Sequence, residues 1–191
     1  DPPEIWGKPC LGATPVHLSA WSKEKLDVCT PQTVSSGTDN YTLATNATTC
    51  GIYKISTSTA GEYFLIENRG PAGYDRGFIG LLLDNSTNTM AEENFKGGLA
   101  IWHIDNSSNC DYSNACDNST PNIVDLEEAS DADLDNKGSR GRTTHLFYSG
   151  NNATFNNSST PNSKLTSGST SGISVTNISA QGDNMTFTIS K

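Results

Sequence analysis

Asn184-Met185-Thr186-Phe187-Thr188-Ile189 alternates without a break. Met185, Phe187 and Ile189 point one way and three polar residues the other, the period of a strand with one buried face and one wet face. Working back along the chain, Gly51-Ile52-Tyr53-Lys54-Ile55-Ser56 puts Tyr53 and Ile55 on one face. Further short β segments are expected at 27–34, 40–43, 63–69, 99–104, 145–148 and 173–179, separated by Gly- and Asn-rich turns. The expected fold is mainly β: an antiparallel sandwich of jelly-roll type with one short N-terminal helix.

That helix is predicted from Thr14-Pro15, with Thr as N-cap and Pro at the first helical position. Leu18, Trp21, Ser22 and Leu26 would share a face, leaving Lys23-Glu24-Lys25 largely in solvent. Before it, Asp1–Gly12 reads as an extended, Pro-rich arm anchored by Trp6. The chain thus divides into residues 1–26, arm plus helix, and residues 27–191, the sandwich. By composition, the polar stretch 150–172 is expected to be a mobile loop.

Hydrophobic residues make up 34% of the 191 residues, while Asn, Ser and Thr number 19, 23 and 22. Such residues suit turns and outer strand faces. The net charge of −9 argues against a nucleic-acid partner. No apolar run approaches the ~18–20 residues of a membrane span; the longest, 78–83, is broken by Gly80. With no initiator Met and no signal-peptide pattern, the chain is expected to start within a longer or processed precursor.

Five cysteines in polar surroundings point to disulfides and a secreted, extracellular protein. Cys110 and Cys116 bracket a short loop, Cys29 and Cys50 flank two candidate strands, and Cys10 is left over, to pair outside the chain. Ten Asn-x-Ser/Thr sequons occur, at Asn40, Asn46, Asn85, Asn106, Asn118, Asn152, Asn156, Asn157, Asn177 and Asn184. Composition alone would give about 4.5, so the excess supports a glycosylated surface. Asn156 and Asn157 are adjacent and cannot both be used.

Five stretches in order resemble one family: 15–26 (PVHLSAWSKEKL), 61–69 (GEYFLIENR), 98–105 (GLAIWHID), 124–129 (VDLEEA) and 173–189. They are similar to the region that follows the protease domain in the immune inhibitor A family of secreted zinc metallopeptidases. The resemblance implies that the helix with Leu18-Ser19-Ala20-Trp21 ends a peptidase-like domain and that a β-rich accessory domain follows. The family's zinc-binding H-E-x-x-H has no counterpart here. The three histidines, His17, His103 and His145, lack the i, i+4 pairing that sets two imidazoles on one helical face. No zinc is expected, and no catalytic residue carries over. Leu26-Asp27-Val28-Cys29 also departs from the Gly-Trp the family has after the helix.

The best candidate site is acidic. Asp131, Asp133 and Asp135 alternate as in the front of a calcium loop, and Asp105, Glu127 and Glu128 could add oxygens. Asn136 and Arg142 occupy the places where an EF-hand has Gly and Glu, so this is not an EF-hand; a solvated acidic loop and a looser calcium site are the two readings. His103 is expected to be a half-buried, hydrogen-bonded sheet residue, because no nucleophile-elbow sequence accompanies it. Glu62 and Glu67 fall on opposite faces of one strand and cannot act as a paired acid and base. Core packing accounts for Trp21 and Trp102 better than a sugar platform.

These readings converge on a secreted, non-catalytic structural or assembly module that polymerises through its N-terminal arm, with Trp6 and Cys10 in that arm. Its expected partners are further copies of itself or an upstream peptidase-like domain, together with glycans. The alternatives are a processed accessory domain of a secreted zinc metalloprotease and a calcium-dependent carbohydrate-binding module.

Overall fold

The computed structural model describes residues 16–45, 50–80, 95–108, 121–130, 134 and 141–191. Two sheets pack face to face. The five-stranded sheet A runs β1 (Gln32–Thr33), β3 (Ile52–Ser56), β4 (Glu62–Arg69), β5 (Gly98–Asp105), β6 (Val124–Leu126). The three-stranded sheet B runs β2 (Thr38–Ala44), β8 (Asn184–Ser190), β7 (Ser174–Thr176). Every pairing is antiparallel except the short β1–β3 contact.

The expected β-sandwich is therefore present, and the period-2 pattern builds it. Ile55, Phe64, Ile66, Leu99 and Ile101 face inward from sheet A, and Leu43, Val175, Met185, Phe187 and Ile189 meet them from sheet B. A core of this kind stabilises the fold through burial of apolar area, about 1.5–3 kcal/mol for each large side chain. The outer face of sheet B stays polar, as the alternation in β8 requires.

Sheet A is covered on both faces. Helix α1 (Ala20–Lys25) lies on the face opposite sheet B, where Ala20, Ile52, Tyr63, Leu65 and Ile104 form a second core with Trp21 and Trp102 packed against it. All eight residues of β4 are consequently buried. The β4–β5 ladder starts where Gly97 adopts φ +89 beside Arg69, and a Cβ there would collide with the Arg69 carbonyl.

The helix differs from its sequence reading in two ways. It begins at Ala20, and its N-cap is Ser19, whose hydroxyl accepts from the Ser22 N–H. Residues 16–19 are held out of the helix because Asp75 takes the His17 N–H while Arg69 takes the His17 and Leu18 carbonyls. The predicted faces hold only in part: Trp21 packs inward and Lys25 is exposed, as expected. Leu18 and Leu26 are exposed, whereas Lys23 is buried. The cause is a buried carboxylate on β4, described below.

Segment 145–148 forms no strand, but Phe147 bridges Leu99 and Tyr148 bridges Asn152. Of 27–34 only the short β1 is regular. β6 lies immediately before Glu127 and Glu128 of the acidic motif, where no strand was expected. Stretch 150–172 is folded through rather than left loose. Phe155 is fully buried, Asn156 Oδ1 accepts from the Ser158 and Ser159 N–H groups, and the Ser163 hydroxyl donates to the Ile173 carbonyl. Small polar side chains here satisfy the backbone locally. No helix of the described residues is long and apolar enough to cross a membrane.

Candidate functional site

Charged side chains gather at two places on sheet A. The first lies under α1. Glu67, fully buried on β4, accepts at Oε1 from the Ala20 N–H (3.1 Å), Trp102 Nε1 (3.0 Å) and Arg69 Nη1 (3.0 Å), and at Oε2 from Lys23 Nζ (2.9 Å). Arg69, two residues along the same face, donates from Nε and Nη2 to the two oxygens of Asp75, each at 2.7 Å. Asp75 belongs to the 3₁₀ segment Gly73–Gly80. Burial alone would push the Glu67 carboxyl up, but Arg69 and Lys23 outweigh it and hold the pKa below its usual value. Two cations and two anions neutralise each other here. The network ties α1, its leading segment and the 3₁₀ segment to β4.

The second cluster sits at the other end of β4, on the sandwich face. The register sets Glu62 opposite Asp105 and Phe64 opposite His103. The imidazole stacks on Phe64 at 4.5 Å between centroids. Its Nε2 lies 2.9 Å from Glu62 Oε1 and its Nδ1 lies 3.4 Å from Glu127 Oε1. Burial disfavours the charged imidazole, yet Glu127 and Glu62 override that and raise the pKa above its usual value. Glu62 Oε1 also accepts from the Thr166 N–H at 2.6 Å, so this rim fastens 150–172 to the sheet. Both ring nitrogens face carboxylates. The arrangement holds a proton between two anions and has neither nitrogen directed at a hydroxyl or thiol.

The structure places the predicted site residues as follows. Asp105 Oδ1 accepts from the N–H and hydroxyl of Ser107, and these bonds overcome burial to lower its pKa. Glu127 turns to His103, and Glu128 Oε1 accepts from the Leu134 N–H. Asp105 and Glu127 thus both neighbour His103, while Glu128 is engaged elsewhere. Asp131, Asp133 and Asp135 lie outside the described residues. Among the described residues no group of three or more His, Cys, Asp or Glu side chains is arranged to hold a metal ion. Cys29 and Cys50 form a disulfide joining the segment after α1 to the start of β3. Cys10, Cys110, Cys116 and Trp6 lie outside the described residues.

Asn40, Asn106, Asn177 and Asn184 are exposed, Asn152 and Asn157 are half-buried, and Asn46, Asn85 and Asn118 lie outside the described residues. Trp21 and Trp102 pack against the second core, in keeping with the core reading. Glu62 and Glu67 do lie on opposite faces of β4. Sequence reasoning missed the partners Lys23 and Asp75. Acidic and basic residues at same-face spacing in an otherwise apolar strand, Glu67 and Arg69, were the available signal.

No protein-family model matches the chain, and no curated protein matches it either.

Proposed function

We propose that this chain is a non-catalytic structural module of the cell exterior that joins further copies of itself into a fibre through its Pro-rich segment 1–12. The observation that carries this reading is the open edge of β2. Gly37 and Lys191 exchange both backbone hydrogen bonds, and Thr45 donates to the Asp183 carbonyl. Antiparallel alternation between those two points turns the N–H and C=O groups of Thr38, Asn40 and Thr42 away from β8. They meet no partner among the described residues. An edge of this length is a template for an added strand.

Glu4-Ile5-Trp6-Gly7-Lys8, between Pro3 and Pro9, is the longest run of the arm with an unbroken series of N–H donors. Five extended residues span about 17 Å, the length of Thr38–Thr42. An arm that fills the next copy's edge gives a head-to-tail contact, which propagates unless its rotation closes a ring. The Cys29–Cys50 disulfide supports an oxidising location. Deleting residues 1–12 should abolish assembly while leaving far-UV circular dichroism and melting temperature unchanged. Assembly that survives the deletion contradicts the reading.

A second reading draws on the other side of the molecule. Leu18, Leu26 and Val28, in and around α1, are 49%, 63% and 66% exposed. An accessory domain docked on the peptidase-like domain that the resemblance implies would cover them. A precursor encoding H-E-x-x-H within about one domain length upstream favours this alternative.

A further inference from the structure

The outer face of sheet B holds two sequons in a particular arrangement. Along a strand, Asn-x-Thr puts the Asn and the Thr on the same side. Asn40-Tyr41-Thr42 on β2 and Asn184-Met185-Thr186 on β8 both turn Asn and Thr to water and their middle residue to the core. Asn40, Thr42, Asn184 and Thr186 are all exposed. Asn40 uses only its carbonyl oxygen, which accepts from the Thr188 hydroxyl at 2.8 Å. The Asn184 amide and the Thr42 and Thr186 hydroxyls make no side-chain hydrogen bond among the described residues. In each sequon the nitrogen to be modified and the neighbouring hydroxyl are therefore uncommitted.

The other described sequons differ. Asn152 Nδ2 is spent on the carbonyls of Ala129 and Thr160, at 3.0 and 3.1 Å. The Asn156 and Asn157 carbonyl oxygens accept backbone N–H groups inside the folded 150–172 stretch. The hydroxyl of the Asn106 sequon, Ser108, donates to the Pro121 carbonyl. Asn177 donates to Thr188, and its sequon hydroxyl, Ser179, donates to the Ala180 carbonyl.

We propose that Asn40 and Asn184 carry N-linked glycans and that the outer face of sheet B is a sugar-covered face. The proposal rests on the exterior reading, because transfer needs a compartment that holds a lipid-linked sugar pyrophosphate. In the step, Nδ2 bonds to the anomeric carbon of the sugar as that carbon's bond to the pyrophosphate oxygen breaks. The amide gives up one proton, and the lipid pyrophosphate leaves with the bonding pair. β8 pairs with β2 along its whole length but with β7 only over Thr188–Ser190, and the fold points Asn184 outward. A glycan on Asn152 would instead take the proton of one of its two internal hydrogen bonds. The register sets Asn40 opposite Thr188 and Asn184 opposite Ala44. Four residues of strand therefore separate the two sites, about 13 Å, which leaves room for both chains. Side chains stand perpendicular to a sheet, so a sugar on Asn40 leaves the in-plane edge of β2 free to pair.

The test locates the full chain in culture fractions of its native cells and maps its glycopeptides by mass before and after peptide-N-glycosidase. Extracellular chain modified at both Asn40 and Asn184 and bare at Asn152 is the expected result. Thr42→Val and Thr186→Val should each remove one glycan from a chain that is still exported and folded. Extracellular chain bare at either site, modified at Asn152, or still fully modified in either variant overturns the proposal and leaves the exterior reading standing. Chain confined to the cytosol overturns both.

Discussion

Lys23 Nζ and Glu67 Oε2 meet 2.9 Å apart, and the Glu67 side chain has no exposure at all. A helix residue whose neighbours are Ser, Glu and Lys reads as solvated, yet it is drawn under the helix by a carboxylate on a strand more than forty positions away. The buried charge fixes which face of α1 lies on sheet A. The apolar residues at its ends are left outside.

Removing the anion should therefore be expensive. Glu67→Gln keeps the shape but leaves Lys23 and Arg69 as buried cations opposed by Asp75 alone. Breaking a buried network in this way costs about 3–5 kcal/mol. Urea denaturation should show a lowered midpoint with an unchanged slope. A loss under about 1 kcal/mol would mean that the network does not hold the helix.

The same carboxyl sets an acid limit. Its native pKa is depressed, so its contribution is present above the unfolded value of 4.5 and is lost as pH falls through the native value. His103 has the opposite sign. Its native pKa is raised above 6.5, so its contribution is complete below pH 6.5 and fades as pH rises through the native value. The stability advantage of the native chain over His103→Gln should be larger at pH 5.5 than at pH 9, measured by denaturant titration at both. An equal or reversed difference refutes the bridging role of the imidazole.

Cys29 and Cys50 are 21 positions apart. Closing a loop of that size lowers the entropy of the unfolded chain by an amount equivalent to about 3 kcal/mol. The Cys29→Ser, Cys50→Ser double variant should lose that much stability. Treating the native protein with a reductant should produce a comparable drop in melting temperature, and no drop would show that the bond is not formed in solution.

Strands β3 and β8 were legible because their alternation is local and survives in any context. β6 was not. Val124-Asp125-Leu126 is too short to show a period. The second cluster was half legible. His103 as a hydrogen-bonded sheet residue followed from its alternating segment, but its partner Glu62 follows only from the β4–β5 register, which no single strand reveals. The 150–172 stretch misleads by composition, since the Asn and Ser side chains that suggest a loose chain are the groups that satisfy its backbone.

Thr42→Pro separates the two edges of β2. The Thr42 N–H faces away from β8, so proline there spares the internal ladder and removes one donor from the open edge. In unglycosylated material, so that the coincident loss of the Asn40 sequon has no effect, the variant should fold and fail to assemble. A variant that folds and still assembles rules out β2 as the acceptor edge.

Sedimentation velocity of the purified 20.3 kDa chain across a concentration series, beside the chain lacking residues 1–12, addresses self-association head-on. The intact chain should give species that grow with concentration, and the shortened chain a single monomer boundary. A monomer boundary for the intact chain at every concentration, or growth of the shortened one, would contradict the account.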